Sequence, residues 1–96
     1  MTPDAQLVAS AVAGSERAYY DLVRRYERPV YALLLRMVRE PAPAEDLAQE
    51  VFVKAYRALA RYDPARKFSS WLFKIAHNTA LDHLRRQELE TVPLEA

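Results

Sequence analysis

Apolar residues recur at intervals of three and four along most of this 96-residue chain. The run from Tyr19 to Met37 shows this spacing most clearly, and it is the spacing that places side chains on one face of an α-helix. The chain has a single glycine, Gly14, and few runs of β-branched residues, which disfavours a sheet. We therefore predict an all-α fold in which four helices form a compact bundle.

Local signals predict where each helix begins and ends. The first helix is expected to begin at Thr2-Pro3-Asp4, with Thr2 as the N-cap, and to stop near Gly14. Ser15 is the predicted cap of the second helix. Pro29 falls inside this helix, but the apolar spacing stays in phase across it, so we expect one kinked helix.

The second half of the chain contains two further predicted helices. The prolines of residues 40–43 predict a break, followed by a third helix over about 44–60. Residues 62–67 are predicted to form a loop, because Asp-Pro favours a turn, and the fourth helix is expected over about 69–87. Residues 1–87 are interpreted as one domain, and the polar residues 88–96 as the start of a linker.

The composition excludes several classes of protein. There is no cysteine, hence no disulfide framework and no thiolate metal site. No stretch has the apolar length of a membrane span, and no signal peptide is evident, so we expect a cytoplasmic protein. Neither a phosphate-binding glycine loop nor an activated nucleophile is found, and His77 and His83 fall on different helix faces. We predict neither an enzyme nor a bound cofactor or metal.

The third helix carries residues that its buried stripe does not require. Residues 40–50 contain four acids and no base, and a mixed line follows a separate face of the helix: Asp46, Gln49, Glu50, Val53 and Arg57. Such a face could dock on a basic helical partner. Alternatively, the acids are there because they favour the positive end of the helix macrodipole.

The loop and the fourth helix carry the opposite charge, with six bases against two acids over residues 61–86. The candidate nucleic-acid contacts are Tyr62, Asp63, Arg66, Lys67, Phe68, Ser70, Lys74, His77, Asn78, Arg85 and Arg86. Cations can neutralise phosphates, rings can stack on unpaired bases, and an amide can read base edges, which suits single-stranded DNA. The alternative is that the rings belong to the core and the cations are simply solvated.

Three motifs, two long and one short, resemble one known family. The run from Asp46 to Phe52, DLAQEVF, is similar to the D-L-x-Q-E-x-F segment of region 2 of bacterial sigma factors. The run from Phe68 to Asn78, FSSWLFKIAHN, resembles the F-x-x-W-L-x-x-I-A-x-N signature of their extracytoplasmic-function (ECF) group. The run from Asp82 to Arg86 is similar to the D-x-x-R-R that usually ends this domain. Both long motifs occur in order and at the expected separation, over nearly the whole chain.

The resemblance implies a role for each candidate surface. The third helix would bind RNA polymerase core at the clamp helices of its largest subunit. The loop and the fourth helix would recognise the −10 promoter element and melt it by capturing an unstacked non-template base. The resemblance also implies a further domain beyond residue 96, and an anti-sigma factor as a regulatory partner of many relatives. If the resemblance holds, the chain is a region 2 and thus a transcription initiation factor domain.

Two other functions stay open. One is a helical adaptor that binds protein but no nucleic acid, which charge reversal in the loop would leave unharmed. The other is a duplex-binding helix-turn-helix regulator, which requires a tighter turn than residues 62–67 provide.

Overall fold

Four α-helices pack around one core in the computed structural model, which describes the backbone of residues 1–91 and the side chains of residues 1–90. They are α1 (Asp4–Val12), α2 (Glu16–Val38), α3 (Pro41–Ala58) and α4 (Phe68–Thr91), with a 3₁₀ turn at Leu59–Arg61. α1 packs on α2, α2 packs on α3 and α4, and α3 packs on α4. The predicted all-helical bundle is confirmed. None of the helices in residues 1–91 combines the length and apolar character needed to cross a bilayer.

α2 is continuous through Pro29, as predicted. The Ser15 hydroxyl caps it by accepting a hydrogen bond from the Ala18 N–H at 3.1 Å. Pro29 is exposed, whereas Val30 and Leu34 are fully buried, so the apolar face survives the loss of one backbone hydrogen bond. At the other end Arg39 adopts φ 63°, and its N–H bonds the Leu35 carbonyl oxygen at 2.8 Å.

Three of the predicted helix ends were wrong. The N-cap of α1 is Pro3 and not Thr2, and no side chain caps that helix. α3 begins at Pro41, three residues before the predicted start. Proline is tolerated there because the N–H groups of the first helical turn have no intrahelical acceptor, so a missing N–H removes no hydrogen bond. α4 extends to Thr91, past the predicted end at Gln87. The division between domain and linker at residue 88 stays a prediction, and residues 92–96 lie outside the described part of the chain.

A carboxylate on α1 joins that short helix to α2. Asp4 accepts a hydrogen bond from Arg25 Nη1 at 2.7 Å and another from the Tyr26 hydroxyl. The Asp4 and Arg25 side chains are only 26% and 22% exposed, so water screens this ion pair less than a surface pair. The phenol of Tyr26 also reaches Ser69 in the first turn of α4.

We expect Asp4→Ala to lower the free energy of unfolding by about 1–3 kcal/mol, because it leaves two half-buried donors without their acceptor. The measurement is urea denaturation at neutral pH. Asp21→Ala is the matched control, since it breaks only the exposed pair with Arg17 and should cost less than about 0.5 kcal/mol. Equal losses in the two variants would contradict a structural role for Asp4.

Candidate functional site

The predicted line of residues on α3 forms an exposed ridge, defined by Asp46, Gln49, Glu50, Val53 and Arg57. Asp46, Gln49 and Arg57 are exposed, Glu50 is half-buried, and Val53 is 48% exposed. The opposite side of the same helix is buried in the core, since a 3.6-residue repeat separates the two stripes. The structure therefore brings all five residues together on one solvent-facing surface.

A groove lies on each side of this α3 ridge. On the α2 side, Gln49 and Val53 line a groove with Val23, Glu27 and Phe52. The same side continues towards the aromatic rings of Tyr19 and Tyr56, whose centroids are 4.9 Å apart. On the α4 side, Asp46 and Glu50 line a groove with His83 and Arg86. The ridge is thus the central part of a wider surface.

A lysine holds the position of Glu50. Lys54 Nζ lies 3.0 Å from Glu50 Oε2 and donates a hydrogen bond to Thr79 Oγ1 on α4 at 3.2 Å. Thr79 is 1% exposed, and its hydroxyl donates in turn to the Ile75 carbonyl oxygen at 2.7 Å. This chain of contacts links the half-buried Glu50 of α3 to the buried face of α4.

Two of the predicted DNA contacts belong to the core. Tyr62 is 8% exposed and Phe68 is 4% exposed, and their ring centroids lie 5.7 Å apart. Trp71 and Tyr26 pack on the same rings, with centroids 5.0 Å from Tyr62 and 5.7 Å from Phe68 respectively. A ring buried in this way has no free face on which a base could stack. Tyr62 and Phe68 instead pack on the core side of the loop.

Hydrogen bonds fix the backbone of the loop over these rings. The Tyr62 hydroxyl donates to the Arg66 carbonyl oxygen, and burial raises the pKa of Tyr62. Asp63 Oδ1 accepts from the Ala65 N–H at 2.9 Å, which is an Asx turn, and the Asp63 carbonyl oxygen accepts from the Arg66 N–H. The side chains of Asp63, Arg66 and Lys67 remain exposed. The loop therefore presents its charges from an ordered backbone.

The remaining candidates on α4 do not all share one face. Ser70, Lys74, His77, Asn78 and Arg85 are exposed and lie on the side of the helix away from Leu72 and Ala76. Arg86 is exposed as well, but it lies about 100° around the helix from Arg85, and it lines the groove beside Asp46 and Glu50. Among residues 1–90, no three His, Cys, Asp or Glu side chains are placed to share a metal ion.

Several residues that border these surfaces were not among the predicted contacts. Lys54, Tyr56 and His83 all lie beside the α3 ridge or in its grooves. Tyr56 could have been found, because a large ring off the buried stripe of a predicted helix is a signal for binding, and it is 53% exposed. The positions of Lys54 and His83 depend on how α3 packs against α4, which no local pattern specifies.

Comparison with known proteins decides the family. The sequence profile described as Sigma-70 region 2 matches residues 22–90, which is most of the chain. The chain belongs to the sigma-70 region 2 family. The predicted resemblance is therefore confirmed, and the matched range includes the α3 ridge, the loop and the exposed face of α4.

Sigma factors of the ECF group are among its relatives. The chain is 43% identical over 81 residues to the RNA polymerase sigma-H factor of Pseudomonas aeruginosa, an alignment covering 84% of this chain and 42% of that protein. It is 40% identical to the ECF sigma factor SigW of Bacillus subtilis, over 78% of this chain and 40% of SigW. The domain is thus a region 2 of the ECF type, and it spans about two fifths of the length of these relatives.

Solved structures of region 2 share the fold. An engineered region 2 of sigmaE, solved by NMR in complex with GTAAAA, has a TM-score of 0.88 and 40% identity, over 96% of both chains. CnrH, solved in complex with the cytosolic domain of CnrY, has a TM-score of 0.77 and 34% identity, over 82% of this chain and 51% of CnrH. The four-helix arrangement of this region 2 is therefore that of its family.

The phenol of Tyr19 provides a pH-sensitive contact beneath the groove between α2 and α3. Its hydroxyl donates to the Phe52 carbonyl oxygen at 2.5 Å. Burial, reinforced by the neighbouring Tyr56, raises the pKa of Tyr19 from 10.0 to about 12. The folded domain therefore keeps this proton at a pH at which the unfolded chain has released it.

We expect the free energy of unfolding to fall as the pH rises from about 10 to about 12, since the unfolded chain binds fewer protons there than the folded one. Tyr19→Phe should flatten this fall. Its curve should run parallel to that of the wild type below about pH 9, displaced by the lost hydrogen bond. Tyr26, whose pKa burial and Asp4 also raise to about 12, should preserve part of the slope. Urea unfolding at a series of pH values measures both curves, and identical slopes would contradict the assignment.

Proposed function

We propose that this region 2 is a transcription initiation factor domain that docks on RNA polymerase core and recognises the promoter −10 element. In this proposal the α3 ridge binds the clamp helices of the largest polymerase subunit, and the loop and α4 bind the non-template strand. The observation that carries the proposal is the loop of residues 63–67. It presents exposed cations from a hydrogen-bonded backbone, in a domain 40% identical to a region 2 solved in complex with GTAAAA.

We further propose that the domain melts the promoter by capturing one unstacked base. Extruding a base from duplex DNA costs a few kcal/mol, and a pocket that receives it can offset that cost. Because Tyr62 and Phe68 are buried, the pocket would be formed by the exposed residues 63–67 and the first turn of α4, which includes Ser70. The buried rings would contribute by holding the loop backbone in one conformation before DNA binds, so that little conformational entropy is lost on binding.

The face of α4 would continue the path of the DNA strand. Lys74 and Arg85 would lie near phosphates, and the Asn78 amide would reach a base edge. His77 is exposed on the same face and would be a further contact. These assignments depend on exposure and on helical spacing, which put the four side chains on one side of α4.

The acidic part of the α3 ridge would select a basic partner. Asp46 and Glu50 lie one helical turn apart, and Val53 adds an exposed apolar residue next to them. An apolar centre with a polar, charged rim is the usual anatomy of a protein interface. We also include a regulatory protein among the proposed partners, because the related CnrH was solved in complex with the cytosolic domain of CnrY.

We expect Arg66→Glu/Lys67→Glu to abolish opening of a promoter by polymerase that carries this domain within its full-length sigma factor, because the loop would then repel phosphates. Permanganate footprinting of unpaired thymines measures opening. Arg28→Glu/Arg36→Glu is the matched control: it makes the same change in net charge at two exposed positions of α2 and should leave opening intact. Equal defects in both double variants would show a non-specific charge effect and contradict the role of the loop.

We expect the wild-type domain to bind a purified clamp-helix fragment with a Kd in the micromolar range or tighter, and Glu50→Arg to remove that binding. Isothermal titration calorimetry measures it, with circular dichroism showing that each variant is folded. Glu16→Arg, an exposed charge reversal outside the ridge, should leave the Kd unchanged. A folded wild-type domain that fails to bind the fragment would favour the adaptor hypothesis.

A further inference from the structure

The groove on the α4 side of the α3 ridge has a chemistry that neither proposed contact explains. It has a volume of about 340 Å³ and lies between the first turns of α3 and the later turns of α4. Asp46 and Glu50 form one wall, and His83 and Arg86 form the other. The groove therefore joins the α3 ridge to a pair of nitrogen-bearing side chains on a different helix.

His83, which lines this groove, has one ring nitrogen that makes no hydrogen bond. Its Nε2 is buried, yet it has no hydrogen-bond partner among the described residues. Buried polar atoms in proteins are nearly always paired, so a nitrogen of this kind calls for a partner such as a water, an ion or a group from a binding partner. Although Asp46 and Glu50 line the same groove, neither carboxylate lies within hydrogen-bond distance of this nitrogen.

Arg86 is also available for a partner. It has no ion pair within the part of the chain that the structure describes, whereas Arg85 lies 3.7 Å from Asp82. Arg86 lies about 100° around α4 from Arg85, away from the face that carries Lys74 and Asn78. Its guanidinium therefore faces the docking side of the domain and not the strand-binding side.

The charges of the groove favour one kind of occupant. Lys54 already pairs with Glu50, so Asp46 is the groove's acid that has no ion pair among the described residues. The amino end of α3, at Ala42 and Pro43, adds the positive end of a helix dipole. Arg86 and His83 Nε2 then remain without a partner among the described residues, and a carboxylate accepts from both when Nε2 carries the imidazole proton.

We infer that His83 and Arg86 form a carboxylate-binding subsite of the polymerase-docking surface, which receives an Asp or Glu side chain from the clamp helices. The inference rests on the proposed function of the α3 ridge and deepens it. A helical partner that carries an acid and a base about one turn apart would place its base against Asp46 and its acid against Arg86. This assignment places Arg86 among the polymerase contacts and not among the predicted DNA contacts.

The test compares the two neighbouring arginines. Arg86→Glu and Arg85→Glu change the net charge equally, one residue apart. Each variant is titrated with the clamp-helix fragment and, separately, with a fluorescent single-stranded −10 oligonucleotide. We expect Arg86→Glu to weaken binding of the fragment by about tenfold, and to affect the oligonucleotide less than Arg85→Glu does. If Arg86→Glu weakens oligonucleotide binding as much as Arg85→Glu and leaves the fragment unaffected, Arg86 belongs to the DNA face and the inference is overturned.

His83→Leu separates a binding role from a structural one. Leucine removes the unpaired nitrogen, so the thermal midpoint should stay the same or rise. Binding of the fragment should nevertheless weaken several-fold, because the subsite loses one donor. A loss of affinity with no loss of stability supports the inference, and unchanged affinity contradicts the part of His83 in it.

Different results would overturn the docking function of the α3 ridge and the His83–Arg86 subsite. If the folded wild-type domain does not bind the fragment, the docking function fails and the subsite fails with it. If the wild type binds and Glu50→Arg abolishes binding while Arg86→Glu has no effect, the docking function stands and only the subsite is overturned.

Discussion

Burial of the Phe68 ring, at the point where the chain enters α4, is the contact on which the loop and the start of α4 depend. Tyr26 of α2, Tyr62 of the preceding loop and Trp71 of α4 all pack against it. Burying an aromatic ring removes a large apolar area from water, and the tilted and edge-on arrangements add to that stabilisation. Because one ring is shared by three elements, the loop cannot shift without disturbing the start of α4.

The loop can therefore be both exposed and ordered. Its cations face water. The buried Tyr62 donates a hydrogen bond to the Arg66 carbonyl oxygen, and the Asp63 carboxylate forms an Asx turn with the Ala65 N–H. A loop of this kind loses little entropy on binding. Tyr26 extends the same support to α1 through Asp4, so the shortest helix also contributes to the position of the loop.

Most of the fold could be predicted from the sequence, because helical periodicity is a local property. Continuity of α2 across Pro29 followed from apolar residues that keep their phase on both sides of it. The start of α3 was missed because the two prolines were interpreted as helix breakers, although at the first positions of a helix they remove only unpaired donors. Tyr62 and Phe68 were placed among the DNA contacts, since an aromatic ring beside cations looks alike in sequence whether it is exposed or buried.

The sequence by itself determined the helices, their buried stripes and the ridge of α3, because a 3.6-residue repeat divides each helix into faces without reference to its neighbours. The sequence also determined the family, because its motifs contain both the buried and the exposed residues of α3 and α4. Only the tertiary structure decided which polar residues meet: Lys54 with Thr79, and Arg86 with the groove beside Glu50. Helical spacing already separates Arg85 from Arg86 by about 100°, but only the packing of α4 on α3 decides that Arg86 is the one that faces the groove.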